Sequence, residues 1–196
     1  MAYANALSIY SAVPKGQMAV EGLSIRKATE EDIPMIEHLA EIIWADTYAG
    51  IISEEEQRLI LDDSYSRESL KRSISENVFL VAEDAGQPIG FVDMGVCGAV
   101  LYLHRLYVLP SVQKRGVGKR LLLEAISHSM ARFSWHLDGV EAPQAVVATV
   151  DIRNHNARAA YAKMGFEEEY ETWLPMGGIM TRVIYIVKTL NCESQL

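Results

Sequence analysis

Only two cysteines occur in the 196 residues, Cys97 and Cys192, and neither sits in a C-x-x-C or Cys/His ligand spacing. A disulfide scaffold and a zinc ribbon are thereby excluded, and no metal is expected. No apolar run reaches the roughly 20 residues that a membrane span needs. The chain does not open on a basic segment followed by an apolar stretch, so no secretory leader is read and a cytoplasmic location without a membrane partner is expected. Positive charge is also short. Eighteen Lys and Arg against 26 Asp and Glu leave a net charge of -8, which argues against a nucleic-acid partner and for a surface that draws cations. What is present is 49% hydrophobic and 22% charged residues, the balance of an ordinary globular protein. Folded chains near this size hide roughly 70% of their unfolded surface, enough for one domain without covalent staples.

Residues 1–22 carry Ser11, Pro14, Gly16 and Gly22 and no sustained period. They read as an arm or as an ordered extension on the domain or a neighbour, with Met18 as an alternative start. Regular patterning begins at Leu23 and continues to Leu190, leaving 191–196 as a tail. Leu23 to Ala28 alternates like a half-buried strand. Thr29-Glu-Glu-Asp32 reads as a helix start, followed by Ile33, Ile36, Leu39, Ala40 and Ile43 at helical spacing. Ser53-Glu-Glu-Glu56 is a second capping box before a helix through Leu61, and a third short helix is expected over Ser66 to Ser75. Strands follow at Asn77 to Ala82 and Ile89 to Met94, joined by a loop over Asp84 to Pro88. A strand over Ala99 to Leu109 leads into an amphipathic helix from Gly116 to Phe133, with Leu122, Ile126, Ser129 and Phe133 on one stripe. After a loop at Asp138 to Pro143, the apolar run Gln144 to Val150 has the character of a central strand covered on both faces. A helix over Asn154 to Met164 and strands over Phe166 to Thr172 and Ile179 to Thr189 complete the pattern. The fold class is α/β, one domain with a mixed central sheet in the order β-ααα-β-β-β-α-β-α-β-β.

Chemistry concentrates in two segments. In the first, the strand ending Leu106-Tyr107-Val108 passes into Gln113-Lys114-Arg115-Gly116-Val117-Gly118-Lys119-Arg120 and then a helix. Such a loop aims several backbone N–H groups at one place, and the helix N-terminus adds partial positive charge. Gly116 and Gly118 let the backbone approach a ligand without a Cβ in the way. This has the makings of a pyrophosphate cradle, but it is neither Walker A nor the dinucleotide G-x-G-x-x-G. On its own, Gly-Val-Gly is equally the mark of a tight turn. In the second segment, a strand and turn lead to Asn154 at a helix N-cap position. Tyr161 lies two turns on along the same face, and Gly165-Phe166 closes the helix.

Together these segments resemble the GNAT superfamily of acetyl-CoA-dependent N-acetyltransferases, from Leu23 to about Leu190. Gln113-x-x-Gly116-x-Gly118 is similar to its pyrophosphate motif Q/R-x-x-G-x-G/A, and Asn154 with Tyr161-x-x-x-Gly165-Phe166 to its second motif. The resemblance implies that Leu106, Tyr107 and Val108 pair through their backbone with the pantetheine arm of acetyl-CoA and polarise the thioester carbonyl. It implies that residues Gln113 to Arg120 (Gln113, Lys114, Arg115, Gly116, Val117, Gly118, Lys119 and Arg120) hold the pyrophosphate. Asn154 would reach the pantetheine, and Tyr161 would protonate the departing thiolate and lie against the cofactor. Direct aminolysis needs no covalent enzyme intermediate, so Cys97 reads as a strand residue. His104 is the candidate general base, since many relatives carry Glu or His on this strand. Its other reading is a histidine bonded to a neighbour and doing no chemistry. Thr149 stands where ribosomal-protein N-terminal acetyltransferases carry Glu, which counts against that substrate class.

The region Ile43-Trp-Ala-Asp-Thr-Tyr-Ala-Gly50, the acidic run after Ser53 and the last strand look like the PaiA-type polyamine acetyltransferases. On that likeness Trp44 and Tyr48 form an aromatic wall for an alkylammonium chain, with Asp46, Glu54 or Glu55 nearby. The other reading packs Trp44 into the core and leaves the acids to solvate and cap helices. The expected acceptor is a small-molecule amine such as a polyamine. A protein or peptide N-terminus or lysine is the alternative, and a catalytically silent acyl-CoA sensor is the alternative of another class. A homodimer is compatible with all three.

Overall fold

The computed structural model describes residues 22–132 and 142–190. The arm over residues 1–21, the tail 191–196, Phe133 and most of the loop expected over Asp138 to Pro143 lie outside them. Among the described residues, seven strands and five α-helices follow one another in the expected order. They are β1 (Leu23–Lys27), α1 (Ile33–Thr47), α2 (Glu54–Ser64), α3 (Arg67–Glu76), β2 (Val78–Asp84), β3 (Gln87–Cys97) and β4 (Val100–Val108). Then come α4 (Val117–Arg132), β5 (Ala145–Asp151), α5 (His155–Lys163), β6 (Glu167–Met176) and β7 (Ile179–Thr189).

Local chemistry accounts for the starts and stops. Ser53 caps α2, taking a hydrogen bond from the Glu56 amide, and the Glu56 carboxylate returns to the Ser53 amide at 3.1 Å and hydroxyl at 2.7 Å. The box at Thr29 is present too, but it closes a single 3-10 turn over Glu30–Asp32 before α1 begins at Ile33. The β2–β3 connection is tighter than the loop expected over Asp84 to Pro88. Ala85 and Gly86 alone make the turn, both at positive φ (50° and 78°), so the strands run on to Asp84 and from Gln87.

One mixed sheet results, ordered β1-β2-β3-β4-β5-β7-β6. Among the described residues, only the β4–β5 pair is parallel. A core of Leu80, Val92, Leu101, Leu121, Val146 and Ile186 lies between the sheet and α4. A second core of Ile33, Ile36, Ile43, Trp44, Ile60 and Leu70 lies under α1–α3, against Phe79, Val81 and Phe91 of β2 and β3. The helices α1 and α4 thus bury apolar stripes, and β2 and β3 are covered along their apolar runs. By contrast β5, expected to be covered on both faces, alternates buried Val146, Ala148 and Val150 with half-buried Val147 and Thr149.

Candidate active site

The sheet opens along the seam between β4 and β5. Their parallel ladder covers only Val100–Leu103 against Ala145–Ala148. β4 then continues to Val108 beside β3, while β5 continues to Asp151 beside β7. The two strands diverge, leaving the Leu106–Val108 backbone facing a wedge. A bulge starts the divergence: Leu103 pairs with Met94 and Arg105 with Asp93, so His104 is the extra residue.

Beyond β4, the turn at Pro110–Val112 leads to the glycine loop. Lys114 (φ 61°) and Gly116 (φ 85°) take left-handed conformations. They curl the backbone so that the first-turn amides of α4, which have no partner within the helix, are exposed at its N-terminus. A Cβ built on Gly116 meets no protein atom within 4 Å, and one on Gly118 meets only Val108 Cγ2 at 3.7 Å. The space in front of these glycines is open, as a bound anion requires. Gln113 is turned back on the strand, its amide donating to the Val108 carbonyl at 3.2 Å. Lys114, Arg115, Lys119 and Arg120 are exposed around the loop, and Arg120 is paired with Glu124 at 2.8 Å. The residues present fit a pyrophosphate-bearing group at this point.

On the other side of the wedge, Asn154 caps α5, accepting from the Ala157 amide at 3.0 Å, and is almost fully buried. Its side chain lies beside the Tyr48 hydroxyl, which also neighbours Tyr107. Tyr161 packs edge-on against Phe166 with ring centroids 5.2 Å apart. Burial raises the Tyr161 phenol well above its ordinary pKa, with Tyr48 and Tyr65 near enough to add to the effect. The group therefore holds its proton at any ordinary pH. Tyr107 and Tyr48 are raised by the same desolvation, and Tyr65 reaches about 12. All four phenols are therefore neutral.

His104 is placed differently from these groups. Its ring lies 4.9 Å from that of Tyr102, and its Nε2 sits above Gly95, where an added Cβ would come within 2.9 Å of it. Desolvation lowers its pKa, against the opposing pull of Asp93. Its described neighbours are Tyr102, Gly95, Asp93 and Arg105 rather than Tyr161 or Asn154. Thr149 accepts from the Tyr102 hydroxyl at 3.4 Å. Cys97 ends β3 as an exposed free thiol.

The expected aromatic wall needs correction. Trp44 is 2% exposed and Tyr48 8%, and their rings lie 4.4 Å apart inside a cluster with Tyr65 and Tyr107. Trp44 donates its indole N–H to the Tyr65 hydroxyl at 3.3 Å, so it is a core residue. The physical reason is its spacing with Ile33, Ile36, Leu39, Ala40 and Ile43, which puts it on the buried stripe of α1. Asp46 is exposed two positions further round the helix, away from that face. Tyr48 alone of the three lies near Asn154.

Two open spaces lie beyond this cluster, one of 480 Å³ lined by Glu41, Ala45, Gly50, Glu54 and Arg58 and a smaller one toward the last hairpin. A cavity of 260 Å³ runs between the start of α2, the β5–α5 turn and the β6–β7 hairpin. Ile52, Ile60 and Met180 give it apolar walls, Trp173 contributes a ring 58% exposed, and Glu56, Arg153 and Arg182 bring charge. Glu56 is held ionised, its pKa lowered by the Ser53 hydroxyl and amide. Arg153 is clamped by Asp151 at 2.7 Å and Arg182 by Glu171 at 2.6 Å. The hairpin closes onto α2 at Gly177 (φ 55°), where a Cβ would come within 2.6 Å of Ile60 Cα. Arg153, Trp173 and Arg182 were not expected from the sequence. Glu56 was read there as a capping residue and as part of the acidic run after Ser53.

Comparison with known proteins assigns this arrangement. The family model described as an acetyltransferase (GNAT) domain matches residues 75–168, which contain both motifs. A spermidine N(1)-acetyltransferase from Thermoplasma acidophilum is 35% identical over 109 residues, 53% of this chain and 68% of that protein. A probable N-acetyltransferase of Mycobacterium tuberculosis is 28% identical over 175 residues, 83% of this chain and 91% of that one. The crystal structure of the PaiA N-acetyltransferase from T. acidophilum in complex with coenzyme A superposes with a TM-score of 0.69 at 27% identity. It covers 86% of this chain and 99% of that chain. The chain belongs to the GNAT acetyltransferase family. It is an acetyl-CoA-dependent N-acetyltransferase of the PaiA-like branch.

Proposed function

We propose that the acceptor is a small cationic amine such as a polyamine, bound in the cavity beside Glu56 and Trp173. The observation that carries this reading is a fixed carboxylate and an exposed indole in one cavity with the apolar side chains of Ile52, Ile60 and Met180. An ammonium group binds to a carboxylate and to an aromatic face, while the alkyl chain between its amines lies on Ile and Met. The spermidine acetyltransferase among the relatives supports it.

Acetyl-CoA supplies the acetyl group as a thioester. The amides of residues 113–119 and the first turn of α4 hold the pyrophosphate. The Leu106–Val108 backbone holds the pantetheine arm and sets one N–H against the thioester oxygen, where negative charge grows as the amine attacks. Asn154 steadies the same arm. Tyr161 gives its proton to the departing sulfur. His104, exposed at the bulge, would serve as base through intervening water.

Arg153 and Arg182 favour a second reading, an amine carrying a carboxylate such as a peptide, though both guanidiniums already have acidic partners. The two readings separate on Glu56→Gln. For spermidine the variant should raise KM more than it lowers kcat, and added salt should weaken wild-type kcat/KM as the charges are screened within about 8–10 Å. A salt-independent kcat/KM, or an unchanged KM in the variant, contradicts the polyamine reading.

A further inference from the structure

The bulge that opens the wedge has a buried cation behind it. Arg105 follows the extra residue His104, and its side chain is only 11% exposed. It is ion-paired with Asp93, its partner across the β3–β4 ladder, whose side chain is wholly buried and also accepts from the Asn77 amide at 2.8 Å. The remaining donors of the fork leave the sheet. One reaches the Ser73 hydroxyl on α3 at 3.0 Å, and another the Ser64 carbonyl at the end of α2. The guanidinium lies over the Tyr65 ring, 5.1 Å from its centroid. Tyr65 is in edge-on contact with Tyr107 of β4, two residues beyond Arg105. One side chain therefore binds the bulge, the opposing strand and the α2–α3 junction together.

Stability does not account for such an arrangement. Two charges taken out of water lose hydration that their attraction barely returns, and an apolar pair of the same volume often serves the fold as well. What an apolar pair lacks is direction. A planar fork with fixed donors holds three partners at set angles.

We infer that Arg105 is a positioning residue for acetyl transfer: its fork, anchored on Asp93, the Ser73 hydroxyl and the Ser64 carbonyl, fixes the angle at which β4 leaves β5. That angle sets the aim of the Leu106–Val108 amides at the thioester carbonyl. The inference rests on the reading of that backbone as the seat of the thioester. It concerns alignment, so affinity for coenzyme A, held by the glycine loop, stays as it is.

The test is the infrared carbonyl band of bound acetyl-CoA, carbon-13 labelled at the carbonyl, in wild type and in Arg105→Lys. Lysine keeps the charge and loses the fork. Wild type should show the band at lower frequency than free acetyl-CoA, and the variant should return most of that shift. Its Kd for coenzyme A should stay within about threefold, and spermidine turnover should fall about tenfold or more in kcat with KM little changed. An equal shift in both proteins overturns the role of Arg105. No shift in wild type overturns the reading of the seat itself, and the inference with it. Ser73→Ala removes a single acceptor on an exterior helix and covers the case in which Arg105→Lys does not fold. It should lose part of the shift, and a full wild-type shift there overturns the inference.

Discussion

Replacing Tyr161 with Phe removes one oxygen and leaves the packing in place. The ring stays edge-on to Phe166, and the surrounding core contacts are with its carbons. Burial keeps the phenol protonated far above neutral pH, so wild type always has a proton to give at this position. General acids contribute 10²–10⁴-fold, and a thiolate is a fair leaving group without help, so the lower end applies. The expected loss is about 100-fold in kcat, or about 2.7 kcal/mol of transition-state stabilisation. The Kd of coenzyme A should hardly move, and thermal unfolding should change by less than about 1 kcal/mol, the scale of one hydrogen bond. Thiol release at saturating acetyl-CoA gives kcat, and calorimetry gives Kd. The pH profile carries the sign of the effect. With the pKa raised, the acid form persists as pH rises, so the wild-type rate should climb as the amine deprotonates and not turn down below about pH 10. Equal kcat in the two proteins, or a loss confined to the KM of acetyl-CoA, refutes Tyr161 as the acid.

Gly116→Val should abolish the rise in melting temperature that acetyl-CoA gives wild type, which at ~100 Kd corresponds to about 2.7 kcal/mol. No protein atom lies within 4 Å of the new Cβ, so the variant's own penalty is left-handed strain, and loss of the shift reports the ligand. Trp44→Ala should destabilise the fold by about 3–5 kcal/mol in chemical denaturation, as expected of a buried aromatic. An unchanged midpoint with a raised amine KM would restore Trp44 to the substrate wall.

The elements were legible because each follows from local chemistry. The stripe from Ile33 to Ile43 forms α1, the capping box at Ser53 starts α2, and the apolar run at Gln144 becomes β5 between β4 and β7. The glycine loop and Asn154 were legible for the same reason, since a nest of amides and an N-cap are properties of a few consecutive residues. The cavity proposed for the amine was not. Its walls come from α2, the β5–α5 turn and the β6–β7 hairpin, and only the fold brings Glu56 to Trp173. The i, i+4 pair Trp44 and Tyr48 looked like a ligand surface because periodicity alone does not say which aromatic face a neighbouring strand covers. Tyr107 and Tyr65 cover it. Arg105 gave no signal either, being one basic residue in a strand whose partner, Asp93, lies on another.

The most direct measurement is thiol release from acetyl-CoA with an amine panel, comparing spermidine, a monoamine of similar length and a short peptide with a free N-terminus, with products identified by mass spectrometry. The expected result is the highest kcat/KM for spermidine and one acetyl group on one of its primary amines. A peptide that outperforms spermidine in the same assay contradicts the assignment of the acceptor.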